Sequence, residues 1–171
     1  MMKYIYRDLV TALGYLPYGL ALGIPLSAVL ILVAFLGLRK RERQVFIPLV
    51  AFGLYLAILL VITFLSRESG SMPGVMDLEL FSTWGINDRN NAYVVENVLL
   101  FIPYGFLCCC AFGKLRNFFS CMLFGALTST AVECLQLVTA RGYFQIDDIL
   151  TNILGTVVGY LLFLLFVGKN D

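Results

Sequence analysis

The chain alternates long apolar runs with short polar segments. Five of these runs have about 20 residues or more, which is the length that an α-helix needs to cross a bilayer. They cover about residues 13–38, 45–65, 93–112, 118–138 and 146–167. The pattern predicts an all-α, polytopic transmembrane helix bundle of about five spans. The first half of the first span is predicted to be bent or interfacial, because it is rich in glycine and proline.

The amino-acid composition also distinguishes the chain from soluble proteins. Of the 171 residues, 60% are hydrophobic and only 13% are charged. Soluble domains carry roughly 45–50% apolar and 25% charged residues, so the chain lies outside the globular range. The net charge of +1 gives no electrostatic basis for binding nucleic acid. The absence of histidine excludes Ser-His nucleophile pairs, HExxH zinc sites and haem ligation by imidazole.

The five cysteines lie in predicted spans and none has CxxC spacing. They are Cys108, Cys109, Cys110, Cys121 and Cys134. This pattern favours small apolar packing residues over a disulfide framework or a zinc site. Acylation of Cys108–Cys110 near a cytoplasmic helix end stays open as an alternative. We accordingly predict no metal and no cofactor.

Basic residues predict the orientation, because they are retained preferentially on the cytoplasmic side. If the segments 39–43 and 114–116 and the C-terminal Lys169 are inside, seven basic residues are cytoplasmic and five are external. The sequence therefore predicts an external N-terminus and a cytoplasmic C-terminus.

Helical spacing places polar and small residues on one face of each of the last two spans. On the fourth span this stripe is Gly125, Ser129, Glu133 and Gln136. On the fifth span it is Asp148, Asn152, Gly155 and Gly159. Polar groups are costly in lipid, and such stripes face protein, so we expect the two faces to meet.

Under this orientation the polar groups gather near the outer leaflet. Glu133 lies about five residues from the end of its span, which is about 7–8 Å deep at 1.5 Å per residue. Asn97 and Asp148 lie near the starts of their spans, at the same end. Tyr104 follows Asn97 by seven residues on the same face and is expected to line the floor of the site. The sequence therefore predicts an outward-facing polar site at the depth of lipid headgroups.

Each candidate has a functional and a structural interpretation. Glu133 is a general base or headgroup-binding acid, or else a hydrogen-bonded strut that shares its face with Gln136. Arg141 is an anion clamp, or else the salt-bridge partner of Asp147 or Asp148. The two aspartates open the fifth span, where capping accounts for one of them. A divalent cation between Glu133 and Asp148 is a further alternative that no known ligand spacing supports.

Three blocks of sequence carry a resemblance to a known family. They read NVLLFIPYGF at 97–106, ECLQ at 133–136 (preceded by Ser129) and RGYFQIDDILTNILG at 141–155. Together they resemble the VanZ-like family of bacterial membrane proteins, which is linked to teicoplanin resistance. The resemblance covers about residues 55–166. One departure is Gln145, where many relatives have an acidic residue.

The resemblance, taken with the helical faces, selects the candidate site residues. The candidate catalytic residues are Glu133, Asp148 and Arg141. The candidate ligand-binding residues are Asn97, Gln136, Asp147, Asn152, Ser129, Arg67 and Tyr104. The expected organisation is an N-terminal region at 1–54, a VanZ-like membrane domain at 55–166 and a short cytoplasmic tail at 167–171. The outer loop at 66–92, which contains Phe81 and Trp84, is expected to cover the cleft as a lid.

The resemblance also implies a function, namely lowered susceptibility to teicoplanin and other lipoglycopeptides. We expect the chain to bind or modify a lipid-linked cell-envelope component at the outer leaflet of the bacterial cytoplasmic membrane. Whether a reaction occurs stays open. One alternative is a non-catalytic module that shields the antibiotic target, and another is a small transporter. The expected partners are membrane lipids and either the lipid-linked intermediate or the lipoglycopeptide itself, and not nucleic acid.

Overall fold

A computed structural model describes residues 1–37, 46–68, 70 and 74–168. Within these residues the chain forms six helices and one pair of two-residue strands. The helices are α1 (Met2–Gly14), α2 (Leu16–Gly37), α3 (Phe46–Leu60), α4 (Asp88–Ala111), α5 (Phe118–Val138) and α6 (Ile146–Phe166). Helices α2, α4, α5 and α6, and α3 together with the helical turn that continues it to Leu65, are long and apolar enough to cross a membrane, which confirms the predicted all-α bundle of five spans. The strands are β1 (Met76–Asp77) and β2 (Phe144–Gln145).

The helix ends follow local capping signals. Asn87 accepts hydrogen bonds from the backbone N–H groups of Arg89 and Asn90, so α4 begins at Asp88, five residues earlier than predicted. Asn117 caps α5 in the same way, and α5 has the predicted bounds. A single π-helical turn, Val61–Leu65, extends α3 to the predicted end of the second span. The predicted start of that span, Val45, lies outside the described residues.

The N-terminal region differs from the prediction. The chain breaks once, at Tyr15, and α2 then continues through Pro25. The glycines of α2 serve close packing, because a Cβ at Gly19 would lie 2.8 Å from Ile58 Cγ1 and one at Gly23 would lie 2.9 Å from the Leu54 Cα. They therefore bring α2 against α3.

Helix α1 was not anticipated from the apolar pattern, since it is amphipathic and too short to span. It lies against the start of α4. The N-terminal ammonium group pairs with Asp88 at 2.8 Å, and Asp8 pairs with Arg89 at 2.6 Å. The Arg89 guanidinium also lies over the Tyr93 ring, 4.3 Å from its centroid.

The core lies where α3, α4, α5 and α6 meet. Phe52 contacts Tyr104 and Phe112 at ring-centroid distances of 5.6 and 5.3 Å, and Phe124 stacks on Tyr104 at 5.9 Å. Helices α3, α4 and α5 each contribute a ring to this cluster. Helix α6 instead packs on α4 through glycines. A Cβ at Gly159 would lie 2.1 Å from the Ile102 carbonyl oxygen.

The bundle has two chemically different ends. The site end comprises the C-terminal ends of α3 and α5, the N-terminal ends of α4 and α6, and the loop that joins α3 to α4. The opposite end holds the 3-10 turn Gly113–Arg116 between α4 and α5. Lys114 and Arg116 lie at this opposite end. The other basic residues on which the orientation prediction depends, those at 39–43 and Lys169, lie outside the described residues.

Candidate functional site

The loop between α3 and α4 is fastened across the start of α6. Strand β1 pairs in parallel with β2, and the Phe144 N–H donates to the Val75 carbonyl at 3.0 Å. The Asp147 carboxylate accepts two backbone hydrogen bonds, from the N–H of Phe81 at 2.7 Å and from that of Thr83 at 2.9 Å. Both carboxylate oxygens of Asp147 are therefore engaged in holding this loop at the site end.

The loop presents two aromatic side chains outward. Phe81 is 61% exposed and Trp84 is 44% exposed, and their rings meet edge to face at 5.5 Å. Aromatic rings of this kind suit the interface between lipid and water. The loop thus has the properties expected of a cover that rests at headgroup level.

Two acidic side chains lie together at the site end. Glu133 is 3% exposed, and its Oε2 accepts a hydrogen bond from the Gln145 N–H at 3.0 Å. Asp148 is half-buried on α6, close enough to Glu133 for the two carboxylates to interact electrostatically. Asn97 of α4 lies near the Asp148 carboxylate. The structure therefore brings together three of the sequence-predicted candidates from three different helices.

Arg67 supplies the positive charge of this cluster. It is exposed at the end of α3 and acts electrostatically on both Glu133 and Asp148. A Cβ at Gly142 would lie 2.6 Å from Arg67 Nη1 and 3.2 Å from Gln136 Oε1. Glycine at position 142 thus leaves the space through which the guanidinium reaches the buried polar groups.

Arg141 is engaged elsewhere. Its Nη1 donates to the carbonyls of Phe64, at 3.4 Å, and of Arg67, and its guanidinium lies over the Phe64 ring at 5.0 Å. Gln136 Nε2 donates to the Thr63 carbonyl at 2.7 Å. Both side chains therefore bind carbonyls at the π-helical end of α3. Among the described residues, no ion pair joins Arg141 to Asp147 or Asp148.

A second polar layer lies one helical turn deeper. Asn152 Nδ2 donates to Ser129 Oγ at 2.8 Å, and Tyr104 and Thr128 share a hydrogen bond of 2.6 Å. Asn152 is 5% exposed, and its Oδ1 is buried without a donor among the described residues. An unsatisfied buried acceptor costs about 1–3 kcal/mol, so this oxygen favours an incoming donor.

Sequence reasoning missed two features of this end. Glu96, next to Asn97 on α4, is half-buried beside Asp8 of α1 and Arg89, and an acidic residue within a predicted span was the available signal. The second is the π-helical turn, whose carbonyls bind Gln136 and Arg141. Such turns often occur at functional sites, but no residue of the sequence marks this one.

Asp77 makes the loop sensitive to acid. Ser82 Oγ donates to Asp77 Oδ2 at 2.7 Å and the Glu79 N–H donates to Oδ1 at 3.1 Å, and these bonds lower the pKa of Asp77. Its contribution to loop stability is therefore complete above the unfolded pKa of about 3.9. It is lost as the pH falls through the lower folded pKa.

We expect the fluorescence of Trp84, the only tryptophan in the chain, to report this loop opening in an acid titration of the detergent-solubilised protein. Asp77→Asn should shift the transition, because the amide cannot titrate, whereas the exposed neighbour variant Glu79→Gln should leave it unchanged. An identical acid transition in wild type and Asp77→Asn would contradict this assignment.

The comparison with known proteins agrees with these features. The family model described as VanZ/LLP1 matches residues 52–167, which is more than half of the chain and contains the whole polar cluster. No curated protein and no solved structure matches the chain. The resemblance inferred from the three sequence blocks is thereby confirmed, and the chain is a multi-pass membrane protein that belongs to the VanZ/LLP1 family.

Proposed function

We propose that this membrane protein lowers susceptibility to teicoplanin and related lipoglycopeptides by binding the headgroup of a lipid-linked cell-envelope intermediate. The site would face the outer leaflet of the bacterial cytoplasmic membrane. The observation that carries the proposal is an exposed cation, Arg67, that interacts electrostatically with the buried carboxylate of Glu133 and the half-buried one of Asp148. This arrangement suits a ligand that carries both an anionic group and hydrogen-bond donors.

The chemistry of the cluster matches a phosphorylated sugar more closely than a simple phosphate. A guanidinium binds phosphate oxygens through two parallel hydrogen bonds, so Arg67 would bind the anionic phosphate group of the ligand. Carboxylates accept hydrogen bonds from hydroxyl or amide groups, so Glu133 and Asp148 would bind those groups of the sugar. The unpaired Oδ1 of Asn152 is one more acceptor in the layer below. A phosphate alone would be repelled by the negative charge of the carboxylates, and it would leave the Asn152 Oδ1 without a hydrogen-bond donor.

The proposal gives Arg141 a positioning role in place of the anion clamp. Its guanidinium binds the carbonyls of Phe64 and Arg67 and so fixes the end of α3 from which the Arg67 side chain extends. Asp147, Ser129 and Gln136 are likewise engaged with the protein, through the bonds described above. Direct ligand contact is assigned to Arg67, Glu133, Asp148, Asn97 and Asn152, above the floor formed by Tyr104.

The external position of the site rests on the distribution of basic residues. Lys114 and Arg116 lie at the opposite end, the end at which α2 also finishes and α3 begins. Helix α1 adds an amphipathic segment at the site end, where its aromatic and charged residues suit the membrane surface.

The test is lipid identification by mass spectrometry on the purified protein, together with teicoplanin susceptibility of cells that express it. We expect Arg67→Gln, Glu133→Gln and Asp148→Asn to lower lipid retention by at least about tenfold, because each removes a charged hydrogen-bond partner worth roughly 1.5–3 kcal/mol. Lys114→Gln, an exposed change at the opposite end, is the matched control and should retain the lipid.

Two further outcomes sharpen the result. Gly142→Ala should fold normally, since its Cβ meets only flexible side-chain ends, yet it should displace Arg67 and reproduce the loss. A Glu133→Gln variant that keeps the lipid but loses protection would point to acid/base catalysis. Normal amounts of all three charge variants, with full lipid retention and full protection, would overturn the proposed function.

A further inference from the structure

Three thiols converge at the end of the bundle opposite to the polar cluster. Cys108 and Cys109 lie near the end of α4, and Cys121 lies in the first turn of α5. The sulfur–sulfur distances are 4.0 Å between Cys108 and Cys109, 3.6 Å between Cys108 and Cys121, and 3.4 Å between Cys109 and Cys121. All three side chains are buried. They form what we call the thiol cluster.

The spacing of the thiol cluster suits one central ion. Sulfur ligands lie about 2.3 Å from Zn²⁺, and three of them in tetrahedral or trigonal arrangement are about 3.8–4.0 Å apart. The observed distances of 3.4–4.0 Å need shifts of only a few tenths of an ångström to reach this geometry. A disulfide has an S–S bond of about 2.05 Å, so the three residues are free thiols.

Close packing of small apolar side chains explains this arrangement less well than a central ion does. The other two cysteines of the chain are placed differently, because Cys110 is half-buried and Cys134 is exposed. Only the three sulfurs of the thiol cluster, brought from two helices across a turn, lie within 4.8 Å of one another. Cys110 follows Cys109 directly, so residue type and chain position alone do not produce the convergence.

We propose that Cys108, Cys109 and Cys121 form a three-thiolate binding site for a soft d¹⁰ metal ion, with Cu(I) as the best match. Thiolate ligands without carboxylate or imidazole select Cu(I) and zinc over hard cations. Each ligating thiol releases its proton when the ion binds, so no oxidant or reductant is needed. The carbonyl oxygens of Gly105, 3.3 Å from Cys108 Sγ, and of Leu115, 3.2 Å from Cys109 Sγ, lie beside the thiol cluster and could supply an ion with a fourth ligand.

The thiol cluster lies close to the opposite end of the bundle. Cys121 is the fourth residue of α5, so it lies about 5 Å along the helix from its start at 1.5 Å per residue. Cys109 Sγ donates to the Leu115 carbonyl of the 3-10 turn at 3.2 Å. This turn covers the thiol cluster, and local opening there exposes the sulfurs without separating the helices. The proposal is independent of the polar site, which lies at the other end.

The test is metal titration of the purified, reduced protein under anaerobic conditions. Cd²⁺ serves as a spectroscopic probe through its thiolate charge-transfer absorbance, and Cu⁺ is titrated against a competing chelator. We expect one ion per chain for the wild type and for the matched controls Cys110→Ser and Cys134→Ser. Loss of an outer-shell partner already lowers metal affinity roughly 10–100-fold, so Cys108→Ser, Cys109→Ser and Cys121→Ser should each lower it by about 100-fold or more.

X-ray absorption of the metal-loaded wild type tests the same proposal without any variant. Three sulfur neighbours at about 2.3 Å are expected. A first shell of oxygen and nitrogen alone would overturn the site, as would equal weakening by the control and thiol-cluster variants. Binding of less than one ion by the reduced wild type would overturn it as well. Teicoplanin susceptibility of the Arg67 variants does not bear on these results.

Discussion

Replacing Gly159 by alanine is expected to force α4 and α6 apart and to destabilise the protein. The added Cβ would lie 2.1 Å from the Ile102 carbonyl oxygen and 2.7 Å from the Phe106 backbone nitrogen. Both atoms belong to the backbone of α4, so the clash cannot be relieved by rotating a side chain. Overpacking of a tight interior costs about 1–3 kcal/mol, and a clash with helix backbone falls at the upper end of that range.

The neighbouring glycines make the same contact. A Cβ at Gly155 would lie 2.3 Å from the Val98 carbonyl oxygen, and one at Gly105 would lie 2.2 Å from that of Thr156. Close approach through small residues supplies van der Waals contact where lipid removes the hydrophobic driving force. The three glycines therefore form one continuous seam, and each should be sensitive to alanine.

Thermal unfolding in detergent measures the effect. Gly113→Ala is the matched control, because its Cβ would meet no atom within 4 Å, and it should unfold at the wild-type temperature. If Gly159→Ala unfolds together with this control, the two helices are not as closely packed as described. Asp148 and Asn152 lie on the same helix as Gly159, so separation of α4 and α6 should also weaken lipid retention.

From the sequence alone, the polar stripes of α5 and α6 are predicted to meet, but the packing of Gly155 and Gly159 against α4 is not. Gly155 and Gly159 share a face with Asp148 and Asn152 at helical spacing, and lipid disfavours polar groups that are left apart. These two regularities place α5 and α6 face to face. Their hydrogen bond between Asn152 and Ser129 is the consequence. Periodicity thus predicts contacts wherever both partners lie on long helices.

Helical periodicity could not predict which of the two arginines at the site end acts on the acidic side chains. Arg67 and Arg141 both lie in connections at the site end, where the backbone has no period. Arg141 binds carbonyls at the π-helical turn, whereas Arg67 lies beside Gly142 and acts electrostatically on Glu133 and Asp148. Both arrangements depend on the loop conformation, which tertiary contacts determine.

The thiol cluster illustrates the same limit. Cys109 and Cys121 are twelve residues apart, with a 3-10 turn between them, so no metal-ligand spacing is visible in the sequence. The capping by Asn117 and the length of the turn decide that Cys121 faces α4. Helix α1 escaped prediction for a related reason, since its ion pairs with Asp88 and Arg89 form only in the folded chain.

Removal of the Asp147 carboxylate is expected to detach the loop from the bundle. In Asp147→Ala the N–H groups of Phe81 and Thr83 lose their acceptors, and hydrogen bonds to a charged group contribute roughly 1.5–3 kcal/mol each. Phe81 has a φ of 63°, a left-handed conformation that costs a non-glycine residue about 1–2 kcal/mol. The bond to Asp147 offsets that strain, so its loss should open the loop and leave the helices folded.

The expected result is faster proteolysis within residues 74–87 and a changed Trp84 emission, while the helical circular dichroism stays the same. Asp147→Asn should fall between wild type and Asp147→Ala, because its amide keeps one acceptor oxygen but places an NH₂ group against a backbone N–H. Glu79→Ala, an exposed change in the same loop, is the control. Wild-type protection of the loop in Asp147→Ala would show that the strand pair alone holds it. The loop pairs with Gln145, whose N–H binds Glu133, so under the proposed function lipid retention should fall even though no proposed ligand-contacting residue has changed.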